Sequence, residues 1–445
     1  MKLRNTTNFF ETEYKQQAQN ANFTKIGGLF GLKYTANKVA FTVLKKNITA
    51  FQKVEVISNT TALETLYMGG STNIDGVIET MACTYVGTNN LSILETKGDF
   101  GSRLKPIAAA SRYIFAKRSK YFDMLFNKDD LNILPRYEFE GQDIEYRFLT
   151  FNLPLLLING SEGLGSGHAQ KILPRNPKDT MNYIKTYLKS GKSSPLPVYY
   201  NGFKGTISQG ETPKQWIIRG SFKRISHLNL EITEVPVNET YISYNKKLEK
   251  LVENGTIKSF VDLCDPKKDI FLFKVKHDIK FSKLSDEQII EKLKLKQTIT
   301  ENYTIIDENN AVKVFQTADE LIMHYIKIRL QYLTKRKEYL IAKSLNDINN
   351  LNSKYIFVKS IIENKLQINK RKKLQIIEDL KKIDGIISID NSYDYLLRMP
   401  IYSLTEEKLQ ELQKQIDETK QILEKNKTIT ENQMWLDDLK EVKIS

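Results

Sequence analysis

The chain has 445 residues, too many for one simple core, so about two to four domains are expected. It carries 67 Lys plus Arg against 53 Asp plus Glu, a formal charge of +14, which points to a polyanionic partner, above all nucleic-acid phosphates. A membrane protein and a disulfide-built protein both fit poorly: there is no apolar run of spanning length, the start MKLRNTTNFFETEYKQQ is polar, and Cys83 and Cys264 lie far apart.

In chain order, residues 1–21 read as a polar, amphipathic arm. Residues 22–130 alternate helical segments with Gly breaks and read as a winged-helix-type module. Within it, Ile74, Val77, Ile78, Met81 and Ala82 recur at helical spacing and predict one buried face. Residues 131–318 change character. FNLPLLLINGSEGLGSGHAQKILPR mixes a buried strand with a Gly-rich turn, and FKGTISQ, WIIRGSF, LNLEITEVP and FLFKVK read as strands. YISYNKKLEKLVENG is a helix with a stop at Gly255 after Asn254. This is an α+β domain.

From Asp319 onward Leu345, Ile348, Leu351, Tyr355, Val358 and Ile362 step by three and four. The pattern predicts a helix of about 55 to 60 residues, about 80 to 90 Å at 1.5 Å per residue. A narrow apolar stripe of that length needs a partner, and SLTEEKLQELQKQIDETKQILEK supplies one. Ser403 and Glu406 predict its capping-box start, and Leu409, Leu412, Ile416 and Leu423 its seam. The fold class is therefore a multidomain α+β chain with a long antiparallel coiled coil (319–383 and 403–426), a small helical knob (384–402) and a C-terminal tail (427–445).

The four histidines, His168, His227, His277 and His324, are scattered, and no Cys or His stands at metal-ligand spacing, so no zinc site is expected and any catalytic metal would be held by carboxylates, of this chain or of another. The chemistry-bearing stretch is KGDFGSRLKPIAAASRYIFAKRSK, residues 97–120, with seven Lys or Arg and one acid, Asp99. Arg112 and Tyr113 sit at its centre. A tyrosine hydroxyl has a pKa near 10 and is a weak nucleophile at neutral pH. Clustered cations stabilise the phenolate and neutralise a phosphodiester that it attacks. The glycines of GDFGS let backbone approach a bulky anion, and the short residues of AAAS keep a helix surface clear. Spacing alone leaves core packing beside a surface charge open as well.

GDFGS followed by AAASRYIFAKRSK resembles the active-site segment of type IIA DNA topoisomerases, in which an Arg-Tyr pair follows a QGNFGS-like loop. LPLLLINGSEGLGSGHAQKILPRNP, ITEVPVNETYISYNKKLEKLVENGTIKSFVDLCD and LLRMPIYSLTEEKLQEL resemble further stretches of that family's breakage-reunion subunit, in order, over residues 22–425. Within the family the likeness is greatest to a phage-encoded branch. The resemblance implies a winged-helix DNA-gate domain, an α+β tower or shoulder domain, and a dimerisation knob at the tip of the coiled coil. It implies Tyr113 as the nucleophile of a 5′-phosphotyrosyl link, Arg112 beside the scissile phosphate, and Leu164 as a wedge between base pairs. It implies Lys33, Ser102 and Arg103 as backbone contacts, and the basic residues Lys38, Lys97, Lys105, Lys117 and Arg118 complete the expected DNA-binding set.

The departures are specific. The family's YHHG-type element reads Tyr67, Met68, Gly69, Gly70 here, without histidine, and Lys97 replaces a Gln. They motivate a second reading, a catalytically weakened DNA-binding scaffold with the same fold. The resemblance further implies Mg²⁺ held mainly by a partner subunit, ATP likewise bound by a partner subunit, homodimerisation on double-stranded DNA, and no membrane. The expected compartment is the cytoplasm, that of a host if the gene is a phage's. The end of the chain soon after the second long helix, without a DNA-wrapping module, favours relaxation and decatenation over introducing supercoils.

Overall fold

A computed structural model describes residues 6–444 except Ser193, Lys267, Ile401 and Ser403. It contains two compact units, Met1–Arg329 with Leu436–Ser445, and Leu330–Trp435.

In the first unit, the sequence YTANKVAFTVLK forms the helix Tyr34–Lys45 because Val39, Ala40, Phe41 and Val43 fall on faces that are all buried. It packs with the helices Val54–Glu64 and Ser71–Ala82. The last has the buried face its spacing predicted, through Ile74, Ile78, Met81 and Ala82, with Val77 half-buried at its edge. A three-stranded antiparallel sheet lies beside them, in the order Gln52–Lys53, Phe115–Arg118, Leu94–Lys97. The polar arm is helical from Thr6 and enters this module through the helix Lys15–Lys25.

The α+β part holds a four-stranded sheet, whose order is Ser221–Ser226, Asn229–Glu234, Phe273–Lys276, Ser259–Asp262. Alternation decides its faces. Phe273 and Val275 are buried while Lys274 and Lys276 are exposed, as FLFKVK predicted. Leu230, Ile232, Phe273 and Val275 form one core with Tyr244 and Leu248 from the helix Tyr241–Glu253. That helix opens on a Thr240–Ser243 capping box. It ends at Asn254, where Gly255 takes φ +68°, a value that glycine adopts without strain. A second small sheet, Thr206–Gln209, Gln215–Arg219 and Lys296–Thr300, closes over Arg175 and Glu301. Both are fully buried, and the Glu301 carboxylate also accepts from the Leu173 N–H, Trp216 Nε1 and the Tyr303 hydroxyl. The segment expected as a C-terminal tail is the helix Glu431–Lys440, and Asp438 accepts from Asn127 and pairs with the buried Arg329.

The second unit contains most of the helix Ala318–Ile362, 45 residues rather than the longer helix expected, and the helix Glu406–Thr428. The first helix stops without Gly or Pro. Asn364 adopts φ +58°, and Lys365 and Leu366 both donate to the Ser360 carbonyl, which caps the last turn. Its partner starts at Glu406, with Thr405 accepting from the Lys408 N–H; the expected cap Ser403 lies outside the described residues. The two run antiparallel, since Lys337 donates to the Ile429 carbonyl while Phe357 and Val358 share a core with Leu412. Ile348, Val358, Leu412, Ile416 and Leu423 are buried as the seam pattern required, whereas Leu345 is exposed. Two short helices, Lys373–Leu380 and Asp394–Leu397, complete that core through Ile376, Leu380 and Leu396.

Candidate active site

Residues 98–114 form a loop between two neighbouring strands of the small sheet, and its glycines set its path. Gly98 and Gly101 take φ +110° and +82°. Between them the Asp99 carboxylate accepts from the Gly101 N–H at 2.9 Å and pairs with Lys105 at 3.0 Å. These two donors hold its carboxyl below the usual carboxylate range. The Asp99 carbonyl accepts from the Ala109 N–H at 2.9 Å. Ala108–Ser111 is therefore not the helix surface expected. It is pinned in an irregular path by Asp99, and the chain then turns at Ser111–Tyr113, with the Tyr113 N–H donating to the Ala110 carbonyl at 2.8 Å.

The turn is fixed on its far side by the helix Val54–Glu64, whose first residue donates to the Ile114 carbonyl at 3.0 Å. Ile114 is fully buried. Tyr113, between a buried neighbour and a fixed turn, is 65 % exposed. The Arg112 guanidinium, also exposed, stands 5.2 Å from the centre of its ring. The site thus presents a phenol and a cation outward from a backbone that is held on both sides.

The hairpin Ser161–Leu164 and Ala169–Ile172 carries Leu164, which is 76 % exposed and so not a core leucine. Its flanking glycines are required by close approach to the helix Lys15–Lys25. A Cβ on Gly163 would lie 2.1 Å from the Lys25 carbonyl oxygen, and one on Gly165 would lie 2.0 Å from Asn22 Oδ1. Asn22 bonds both the N–H and the carbonyl of Ser166. Gln170, 1 % exposed, bonds both polar groups of Gly27 and the Thr304 carbonyl. Neither residue stands out in the sequence; the Gly-Leu-Gly spacing is the signal that something approaches closely there.

Burial corrects three of the expected DNA contacts. Lys38 is 1 % exposed, paired with Glu145 and bonded to the Thr65 carbonyl. Arg103 is paired with Glu234 and bonded to the Val235 and Pro236 carbonyls, and it lies 4.8 Å from the Phe271 ring. Arg118 is buried between Asp123 and Asn47. Each is a basic side chain drawn inward by an acid, and none faces solvent. Lys97 and Lys105 are exposed, Ser102 is half-buried, and Lys117 is half-buried beside Glu95 at 3.3 Å. Lys33 donates to the Glu162 carbonyl at 2.6 Å, and burial lowers its pKa. It helps line a groove of about 700 Å³ together with Lys25, Phe100, Ala108, Glu162 and Lys171. The groove therefore runs from the Tyr113 loop to the hairpin. Met68, where the resemblance expects histidine, is 91 % exposed.

A family model for the A-type subunit of DNA gyrase/topoisomerase IV matches residues 30–440. The chain belongs to this topoisomerase family. Among its relatives are DNA topoisomerase 2 of Plasmodium falciparum (isolate K1 / Thailand), 32 % identical over 93 % of this chain and 32 % of that protein, and the mitochondrial DNA topoisomerase 2 of Dictyostelium discoideum, 30 % identical over 98 % and 35 %. The chain thus spans about a third of the length of these relatives. The crystal structure of the Plasmodium falciparum topoisomerase II DNA-binding, cleavage and re-ligation domain matches with a TM-score of 0.85 at 31 % identity, over 97 % of this chain and 62 % of that one. Among the described residues of this topoisomerase-family chain, no three His, Cys, Asp or Glu come together to hold a metal ion, and no helix is long and apolar enough to cross a membrane.

Proposed function

We propose that this chain is the DNA-cleaving part of a type II DNA topoisomerase. The Tyr113 oxygen attacks a phosphodiester, the bond from phosphorus to the 3′ oxygen breaks as the phosphotyrosyl bond forms, and reversal reseals the strand. The observation that carries this reading is Tyr113 itself: an exposed phenol beside Arg112, on a turn held from both sides, in a chain of this family. Arg112 stabilises charge on the phosphate and on the phenolate. The same exposure favours cleavage over a weakened scaffold, because a scaffold has no use for an open phenol at this position.

Lys97, Lys105 and Arg112 supply the exposed cations around the scissile phosphate, and Lys33 contacts the backbone along the groove toward the hairpin. Leu164 enters the base stack and trades stacking energy for a bend that widens contact with the protein. The helices and small sheet around Tyr113 act as a winged-helix-type DNA gate, and the antiparallel helices act as a coiled coil whose small helical knob joins two copies. Two chains cut opposite strands and pass a second duplex, giving relaxation and decatenation.

A bound Mg²⁺ would stabilise the attacking and leaving oxygens. We assign the metal, with ATP, to partner polypeptides, as the resemblance implies. The test is to combine the chain with those polypeptides on duplex DNA, stop with detergent, digest with nuclease, and sequence the adducted peptide. A nucleotide carried on Tyr113 supports the proposal; an adduct on any other residue, or none where a known type II topoisomerase gives one, overturns it.

A further inference from the structure

We propose that Asn22 is a positioning residue for Leu164: its side-chain amide holds the tip of the hairpin Ser161–Leu164 and Ala169–Ile172, so that the wedge meets duplex DNA from a fixed place. The inference rests on the wedge role given to Leu164 above. The helix Lys15–Lys25 buries one of its residues, and that one is polar: Asn22 is 5 % exposed. Burying an amide costs free energy unless its polar ends are bonded, and an apolar residue would serve packing better. Both ends are bonded here, and to a single residue. Asn22 Oδ1 accepts from the Ser166 N–H at 2.7 Å, and Nδ2 donates to the Ser166 carbonyl at 3.2 Å. Two bonds between the same two residues fix an orientation as well as a distance.

The hairpin needs such a hold, because two strands alone are marginal in water. Its root is tied in several places. Lys171 exchanges backbone hydrogen bonds with Asn302 at 3.0 and 2.8 Å, Gln170 bonds Gly27 and Thr304, and Lys33 donates to the Glu162 carbonyl. The tip is tied in one. From Leu164 to His168, among the described residues, the hydrogen bonds that leave the hairpin are the two made by Asn22. Leu164 pairs with Ala169 just before the turn, which closes with the Gly165 N–H on the His168 carbonyl at 2.9 Å and Gly167 at φ +72°. Asn22 therefore grips the chain two residues beyond Leu164. Gly165, between them, leaves room for that grip, since a Cβ there would meet Asn22 Oδ1.

The consequence falls on the bend. An apolar side chain that parts two base pairs gives up their stacking. A tip that became ordered only on contact would add the cost of its own ordering, and a tip held beforehand does not. Buried, with both ends of its amide engaged, Asn22 acts on DNA through Leu164 and not by a contact of its own. Its effect is therefore on how many bound duplexes are bent, not on how many duplexes are bound.

The test measures energy transfer between dyes at the two ends of a duplex, molecule by molecule, and reads the ratio of bent to straight complexes. It uses the full chain with its metal- and ATP-bearing polypeptides, and compares the wild type with Asn22→Ala, Asn22→Asp, Leu164→Ala and the double variant Asn22→Ala/Leu164→Ala. Asn22→Ala is expected to lower the ratio about fivefold, the net effect of about one hydrogen bond. Asn22→Asp keeps the acceptor for the Ser166 N–H and should lower it less. In the double variant Asn22→Ala should add nothing to the loss caused by Leu164→Ala. A merely structural role would lower the denaturation midpoint and the fraction of chains able to bind, and leave the ratio among bound complexes unchanged; that result overturns the inference. Additive losses overturn it as well, since Asn22 would then act apart from Leu164. Should Asn22→Ala fail to fold, Asn22→Asp, alone and with Leu164→Ala, carries the same comparison. Normal bending by Leu164→Ala would remove the wedge reading itself, a separate and recognisable failure, and this inference with it.

Discussion

The Arg112 guanidinium lies 5.2 Å from the centre of the Tyr113 ring, and both side chains face solvent from one turn. On the proposed mechanism, a cation that close to the phenol acts on the transition state first and on binding second. Arg112→Ala should lower trapped cleavage by about 10²- to 10³-fold, the usual effect of losing one preorganised donor. DNA affinity should fall far less. Quantified adducts and a binding isotherm on the same preparation check both halves; equal losses in the two would make Arg112 an ordinary phosphate contact.

Leu164 tests the bend. Because its side chain is 76 % exposed, Leu164→Ala should leave stability within about 0.5 kcal/mol. It should lower the bend angle read by energy transfer between duplex ends, since the wedge is gone. Gly163→Ala should lose the bend and stability together, because the new Cβ has the Lys25 carbonyl oxygen 2.1 Å away. A Leu164→Ala protein that bends DNA normally would remove the wedge role.

Arg103 and Lys38 should behave as structural cations. Truncating one partner of a buried pair leaves the other charge uncompensated, at a cost of about 3 to 5 kcal/mol. Arg103→Ala and Lys38→Ala should each lower the denaturation midpoint sharply, while the salt dependence of DNA binding by the folded fraction keeps its slope. Lys105→Ala should do the reverse, since Lys105 and Asp99 are both exposed and their pair adds little to stability. A reduced salt slope in Arg103→Ala would return it to the DNA surface.

How far these roles can be read from the residues depends on how local their causes are. The Gly98–Gly101 turn, the cap and stop of Tyr241–Glu253 and the buried face of Ser71–Ala82 are written within a few residues of themselves. The direction of a lysine or arginine is not. Lys38 turns inward for Glu145, 107 residues later, and Arg103 for Glu234, 131 residues later. A run of basic residues therefore looks like one surface until the fold assigns each a partner. The long helix ends before its expected length for a related reason: Asn364 stops it in a left-handed conformation, and Gly and Pro alone as breakers do not reveal that stop. Ala108–Ser111 looks helical by composition, but Asp99 holds it otherwise.

The two thiols give a pH test. Burial, with Glu79 nearby, pushes the Cys83 thiol up to about 11, and burial pushes that of Cys264 up to about 12. An unfolded thiol titrates near 8.5, so as pH rises the unfolded chain loses these protons first. The thiol contribution to stability is full below about pH 8.5 and is lost as pH rises toward 11 and 12. At pH 8 both cysteines should react with a disulfide reagent at least about a hundredfold more slowly in the native chain than in denaturant, Cys264 the slower of the two. Equal rates would show that neither thiol is held protonated.

On the proposed mechanism, the exposed phenol of Tyr113 becomes covalently bound to DNA. The most direct measurement compares wild type with Tyr113→Phe, each combined with its metal- and ATP-bearing polypeptides, Mg²⁺ and supercoiled plasmid, stopped by detergent and protease. Protein-linked double-strand breaks are expected with the wild type and none with Tyr113→Phe, at nearly unchanged DNA affinity. Linked breaks that persist in Tyr113→Phe would contradict it.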